Sequence, residues 1–501
     1  MSSSQVLQDS LRSLIEENRR LVDKLTLLEP PTSKESPPAR TTKAPEKSYS
    51  EQYVDWTPQC PTVYHAVSSL AERLLAAGFV QLSERDRWDS LGAGTKAFVV
   101  RNGSCLIAFV VGGDIKEKDP GFGMVGCHVD AITVRLKPLS KKNSDGGYTM
   151  LAVAPYAGGL NPTWWDRDLG LGGRVLVKSA DGSIATKLIH FDHPVARIPT
   201  LAPHFGAPAN GPFNMETQMT PIIALEPTDP ADNEPTPEEA KSHLANRHNI
   251  HLLRAIAKNL DVEVADLLDF DLELFDTQPA AFGGLKKDFL FAPRIDDKIC
   301  SFASLNALID SADEYAHSGD AVIMCGLFDN EEIGSLTRQG ARGGLLENSI
   351  RRISEFNGWN VDTSLAKSFL ISADVSHAYN PNFPNVYLEN HRPQLNVGPV
   401  VSCDASGHMA TDAVSTVFAE AIAKKCDSTL QYFQIRNDSR SGGTIGPMLS
   451  ASMGCRTIDI GIGQLSMHSI RATTGSKDVD LFWKFICGFY MNWKEVDSKF
   501  V

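Results

Sequence analysis

The sequence predicts an α/β fold: a doubly wound mixed sheet forms the principal domain, a β-rich domain is inserted into it, and an amphipathic helix precedes both. Three observations carry this reading. Apolar runs of strand length, Cys105 to Val111 and Gly123 to Cys127, are followed after about residue 285 by alternating strand and helix patterns. A stretch richer in Gly and Pro, with shorter strand-like runs, separates the two alternating parts. At the N-terminus leucines recur every seven residues.

That N-terminal repeat places Leu7, Leu14, Leu21 and Leu28 on one seam position and Leu11, Asn18 and Leu25 on the other. Ser2 to Ser4 offer caps, and Pro30-Pro31 ends the helix and opens a linker containing Pro37, Pro38 and Pro45. So short a helix is marginal alone in water, so it needs a surface to cover its leucines. Self-association or capture by another protein supplies one, with Asn18 as the polar seam residue that fixes register; packing on the chain's own globular part is the alternative. Residues 1–50 thus read as a detachable arm.

Residues 51–132 form the first part of the principal domain, 133–270 the insertion, and 271–501 the second part. Tyr148 to Val153 and Arg174 to Lys178 read as strands of the insertion. Glu226 to Ala240, rich in Pro, Asp and Glu, reads as an exposed acidic loop. Gly170, Gly172 and Gly173 lack the spacing of a nucleotide-binding loop and are expected in an ordinary turn.

With 501 residues, 42% hydrophobic content and a formal net charge of −13, the chain has material for several cores. That charge argues against a nucleic-acid or anionic-membrane surface. Its nine cysteines contain no C-x-x-C pair, which argues against a disulfide framework or a thiolate zinc site. No apolar run is long enough for a transmembrane segment, and no secretory signal is expected, so synthesis in the cytoplasm is the expectation.

Against this background five potential metal ligands stand out: His128, Asp296, Glu332, Asp374 and His468. All but Asp296 lie just beyond apolar runs of strand type, and Asp296 precedes an apolar helix. In open α/β sheets such positions converge at the carboxyl ends of the strands. A His/carboxylate set without thiolates suits Zn²⁺, with Mn²⁺ and Co²⁺ as alternatives, and a carboxylate can bridge two ions. Asp130 is placed to orient His128 through its other ring nitrogen. Glu331, beside Glu332, is a spare carboxylate for proton transfer.

The segments Gly126-Cys-His-Val-Asp-Ala131, Phe291-Ala-Pro-Arg-Ile-Asp-Asp297, Asp329-Asn-Glu-Glu-Ile-Gly-Ser335, Ser372-Ala-Asp-Val-Ser-His377 and Gln464-Leu-Ser-Met-His-Ser469 together resemble the M18 metallo-aminopeptidases, and within them the fungal vacuolar branch. The resemblance runs from about Tyr53 to the end. It implies two divalent metal ions bridged by Asp296, with His128 and Asp374 completing one site, Glu332 and His468 the other, and Glu331 as general base. It implies that His204, on the insertion, reaches a neighbouring subunit's active site and helps hold the oxyanion. His377, Gly443 and Thr444 are expected substrate contacts.

The resemblance also implies an inserted dimerisation domain, a homododecamer with enclosed active sites, and peptides as substrates. For the vacuolar branch it implies an N-terminal propeptide recognised by a selective-autophagy receptor, which delivers the chain to the vacuole. Acid-specific members supply basic side chains near the segment corresponding to Ser402 to Met409, which here contains no Lys or Arg. Neutral or apolar N-terminal residues such as Leu are therefore the expected substrates. An acid-selective cytosolic enzyme and a non-catalytic cargo scaffold are the alternatives.

Overall fold

The computed structural model describes residues 47–142, 146–227 and 229–500. The heptad helix expected over Leu7 to Leu28 lies outside them. A helix over Tyr49–Trp56 opens the described chain, capped reciprocally by Ser48 and Glu51.

Nine strands form one mixed sheet, in the order Val80–Leu82, Lys96–Arg101, Cys105–Val111, Val322–Phe328, Phe122–His128, Phe369–Ser372, Arg456–Gly461, Val400–Cys403 and Gln431–Gln434. The four strands from Val322–Phe328 to Arg456–Gly461 run parallel to one another. Phe122–His128 and Val322–Phe328 are buried at every residue, which explains why they read as unbroken apolar runs: both faces are covered.

Residues alternate between two cores. Val125, Cys127, Ile323 and Cys325 pack against helices Ile295–Ser318 and Asp478–Asp497. Phe122, Met124, Val322 and Met324 join a second core with helices Leu345–Asn357 and Ile445–Met453. The mixed α/β architecture follows from this two-sided burial.

The insertion builds a separate six-stranded antiparallel sheet, in the order Ile184–His190, Leu169–Lys178, Leu267–Asp276, Thr133–Lys141, Tyr148–Tyr156 and Ile222–Leu225. Its last strand in sequence runs to Asp276. Trp164, Leu171, Val175, Leu253 and Ile256 form its core, the last two from helix Ile250–Leu260.

The glycines expected in a turn lie instead inside strand Leu169–Lys178. A Cβ on Gly173 would come within 2.0 Å of the Asp271 carbonyl oxygen, and the residue has φ of +149°. These glycines let neighbouring strands approach closely; a close-packed strand and a turn share the same composition. Residues 229–240 are mostly exposed and broken into short 3-10 turns. Arg254 holds them, bonding Glu239 at 2.7 Å and the Asp232 carbonyl at 2.9 Å. Among the described residues no helix is long and apolar enough to cross a membrane, and the nine cysteines are free.

Candidate metal centre

The parallel strands deliver their polar residues to one end of the sheet. His128 is the last residue of its strand, Glu331 and Glu332 follow Val322–Phe328 on the turn Glu331–Ile333, and Asp374 follows Phe369–Ser372. Asp296 enters from the head of Ile295–Ser318, where the backbone departs from helical geometry. His468 stands on the loop between Gly463–Gln464 and Ala472–Gly475.

Asp296 occupies the middle. Its Oδ1 lies 3.2 Å from His128 Nε2 and its Oδ2 lies 3.6 Å from His468 Nε2. Asp374 joins the His128 side at 3.5 Å; Glu332 joins the His468 side at 3.8 Å. Glu331 stands beside the first group, its Oε2 3.9 Å from His128 Nε2. The structure thus brings all five candidate ligands and the spare carboxylate together. Asp297, buried next to them, was not singled out in the sequence; its carboxylate groups with His128 and Asp374.

The donor set fits divalent cations. Among the described residues no Lys or Arg pairs with Asp296, Asp297, Glu331, Glu332 or Asp374. Glu332 Oε1 and both carboxylate oxygens of Asp297 are buried without a hydrogen-bond partner. Burial, reinforced by the surrounding acids, pushes Glu331 up to about 8 and Glu332 up to about 10. Acids so crowded ionise together only with positive charge among them. Oxygen and imidazole donors without thiolate match Zn²⁺ and similar ions.

Asp130 braces this arrangement from beneath. Buried, it places Oδ1 3.3 Å from His128 Nδ1, the contact that leaves Nε2 turned toward the cluster. It also accepts from the Tyr156 hydroxyl at 2.6 Å and from the backbone N–H groups of Glu331 and Glu332 at 3.2 and 3.3 Å. Asn330 completes the brace by donating to the Tyr156 hydroxyl at 2.9 Å. No sequence pattern marks Tyr156, and none gives Asn330 a role inside the Asp329–Ser335 segment; the run of bonds from Asn330 through Tyr156 to Asp130 identifies both.

A cavity opens from the cluster. His377, Met409, Phe433, Ile435 and Met467 line it with Gly443 and Thr444, and among the described residues no Lys or Arg does. His377 packs its ring 5.2 Å from that of Phe433. Thr444 donates to Asp374 Oδ2 at 2.8 Å, so it supports a ligand as well as facing the cavity. His204 is exposed on the turn Pro203–Phe205 and lines neither this cavity nor the one on the far side of Asp296 and His468.

Residues 56–490 match the family model described as aminopeptidase I zinc metalloprotease (M18). The chain is 52% identical over 460 residues to vacuolar aminopeptidase 1 of Saccharomyces cerevisiae, covering 90% of this chain and 89% of that one. It is 39% identical over 472 residues to an aspartyl aminopeptidase of Aspergillus oryzae, covering 87% of this chain and 94% of that one. Its fold is similar to the solved S. cerevisiae mApe1 dodecamer, with a TM-score of 0.81 and 45% identity, over 90% of this chain and 98% of that chain.

Proposed function

The chain belongs to the M18 family of zinc metallo-aminopeptidases, and from that premise we propose that it uses two divalent cations to remove neutral or apolar N-terminal residues, such as Leu, from peptides. The observation that carries the dinuclear reading is Asp296, whose two oxygens face histidines on opposite sides. His128 and Asp374 would hold one ion, Glu332 and His468 the other, and Asp296 both. Bound there, the cations lower the pKa of water and polarise the peptide carbonyl.

Glu331 is the proton carrier. It stands at the cluster without belonging to either ligand group, and Asp130 holds its backbone in place. It takes the proton from water as the new C–O bond forms at the carbonyl carbon. It returns that proton to the amine nitrogen as the C–N bond breaks. His204, brought in by a partner subunit, would donate to the developing oxyanion. His377 and Gly443 would contact the departing residue from the cavity wall.

The cavity wall supports the substrate class. An acidic side chain entering beside Met409, Phe433 and Ile435 meets no cation there and loses its hydration without replacement. Comparing Leu-, Asp- and Glu-terminal chromogenic substrates on zinc-reconstituted protein tests this directly. Leu turnover should dominate and disappear on chelation; faster Asp or Glu turnover would establish the acid-selective alternative.

The homododecamer, built from dimers joined through the insertion, is proposed on the same footing. Leu201 and Phe205, which flank His204 in sequence, stand exposed, as residues at an intersubunit contact would in a single chain. Delivery to the vacuole through a selective-autophagy receptor bound to residues 1–45 follows the vacuolar relative. Deleting those residues should abolish delivery and leave sedimentation as twelve chains intact.

A further inference from the structure

The loop that carries His468 is fastened to the inserted domain at two points. Asn161 Nδ2 donates to the His468 carbonyl at 2.8 Å, and Thr163 Oγ1 accepts from the Ile470 N–H at 2.9 Å. The two fasteners also lock each other: the Thr163 N–H and hydroxyl both donate to Asn161 Oδ1, at 3.0 and 2.6 Å. Asn161 Nδ2 donates again to the Gly158 carbonyl at 3.0 Å.

Their own footing is firm. Asn161 caps the turn Pro162–Trp164, and Trp164 is buried in the core of the insertion. Ile470 packs into that same core. The loop between is one that needs holding: Ser466 and His468 have φ of +63° and +62°, in the left-handed region where side chains are strained and persist only where neighbours dictate the conformation.

We propose that Asn161 and Thr163 are positioning residues for His468, through which the inserted domain controls metal occupancy of the Glu332/His468 half of the centre. This rests on the dinuclear reading. It makes the insertion part of the metal site, although none of its own residues is among the proposed ligands.

Zinc stoichiometry after dialysis and zinc affinity by titration calorimetry test it on the full chain. Asn161→Ala and Thr163→Val should each retain one ion firmly and bind the second about 10–100-fold more weakly, while Thr163→Ser, which keeps the accepting oxygen, retains both. If Asn161→Ala does not fold, the Thr163 pair decides alone. Wild-type affinity for both ions in Thr163→Val, or equal weakening of both, would overturn the proposal. A wild-type chain that binds a single ion would instead overturn the dinuclear reading beneath it.

Discussion

His128 and His468 approach the same carboxylate from opposite sides, yet the fold treats them differently. The His128 side chain is 1% exposed, ends a central strand and rests on Asp130. That of His468 is 55% exposed and sits on a left-handed loop tied to another domain. One half of the centre is therefore built from the core of the sheet, where packing leaves little freedom. On the dinuclear proposal, the other half depends on contact with the Asn161–Thr163 segment and is the place where occupancy would respond to changes elsewhere in the molecule.

The largest expected effect falls on a residue that belongs to neither half. Glu331→Gln should keep both ions yet lose about 10²–10⁴-fold in kcat, read by metal analysis alongside turnover of a Leu-terminal substrate. Loss of an ion would instead make Glu331 a ligand and blur the distinction between the halves.

Asp130→Asn sharpens the contrast next. It removes the charge that faces His128 Nδ1 at 3.3 Å and weakens the acceptor for the Glu331 and Glu332 backbone N–H groups. Zinc affinity should fall by about 10–100-fold, with the His128/Asp374 half affected most. Titration calorimetry would show the tighter of two binding steps moving, the reverse of the pattern expected for Asn161→Ala.

How far these features were legible in the sequence follows the same division. Four of the candidate ligands and Glu331 stood out because buried strands leave long apolar runs, and a polar residue just past such a run is conspicuous; Asp296 stood out at the head of an apolar helix. Asp130 was legible too, two residues after His128; the other supports were not. Tyr156 bonds Asp130 and Asn330 bonds Tyr156, and Asn161 reaches a loop 307 residues away; no local period records such encounters. The glycine run 170–173 has a composition that serves a turn or a tightly packed strand equally. Only the close approach of Asp271 distinguishes them.

Thr444 offers the finest test. Its hydroxyl donates to Asp374 Oδ2 at 2.8 Å, and it also lines the cavity, so ligand support and substrate contact are combined in one side chain. Thr444→Val removes the hydroxyl while keeping the volume. A hydrogen bond to a charged group is worth about 1.5–3 kcal/mol, but Asp374 keeps its bond from the Val375 N–H at 2.7 Å and would gain a cation. The expected cost is therefore at the low end, about tenfold in zinc affinity at the His128/Asp374 half. If Thr444 acts chiefly as a substrate contact, KM for Leu-terminal peptides rises instead while zinc affinity stays at the wild-type value. Measuring both quantities on the same preparation separates the two roles, because the core-built half has few other ways to lose a metal ion.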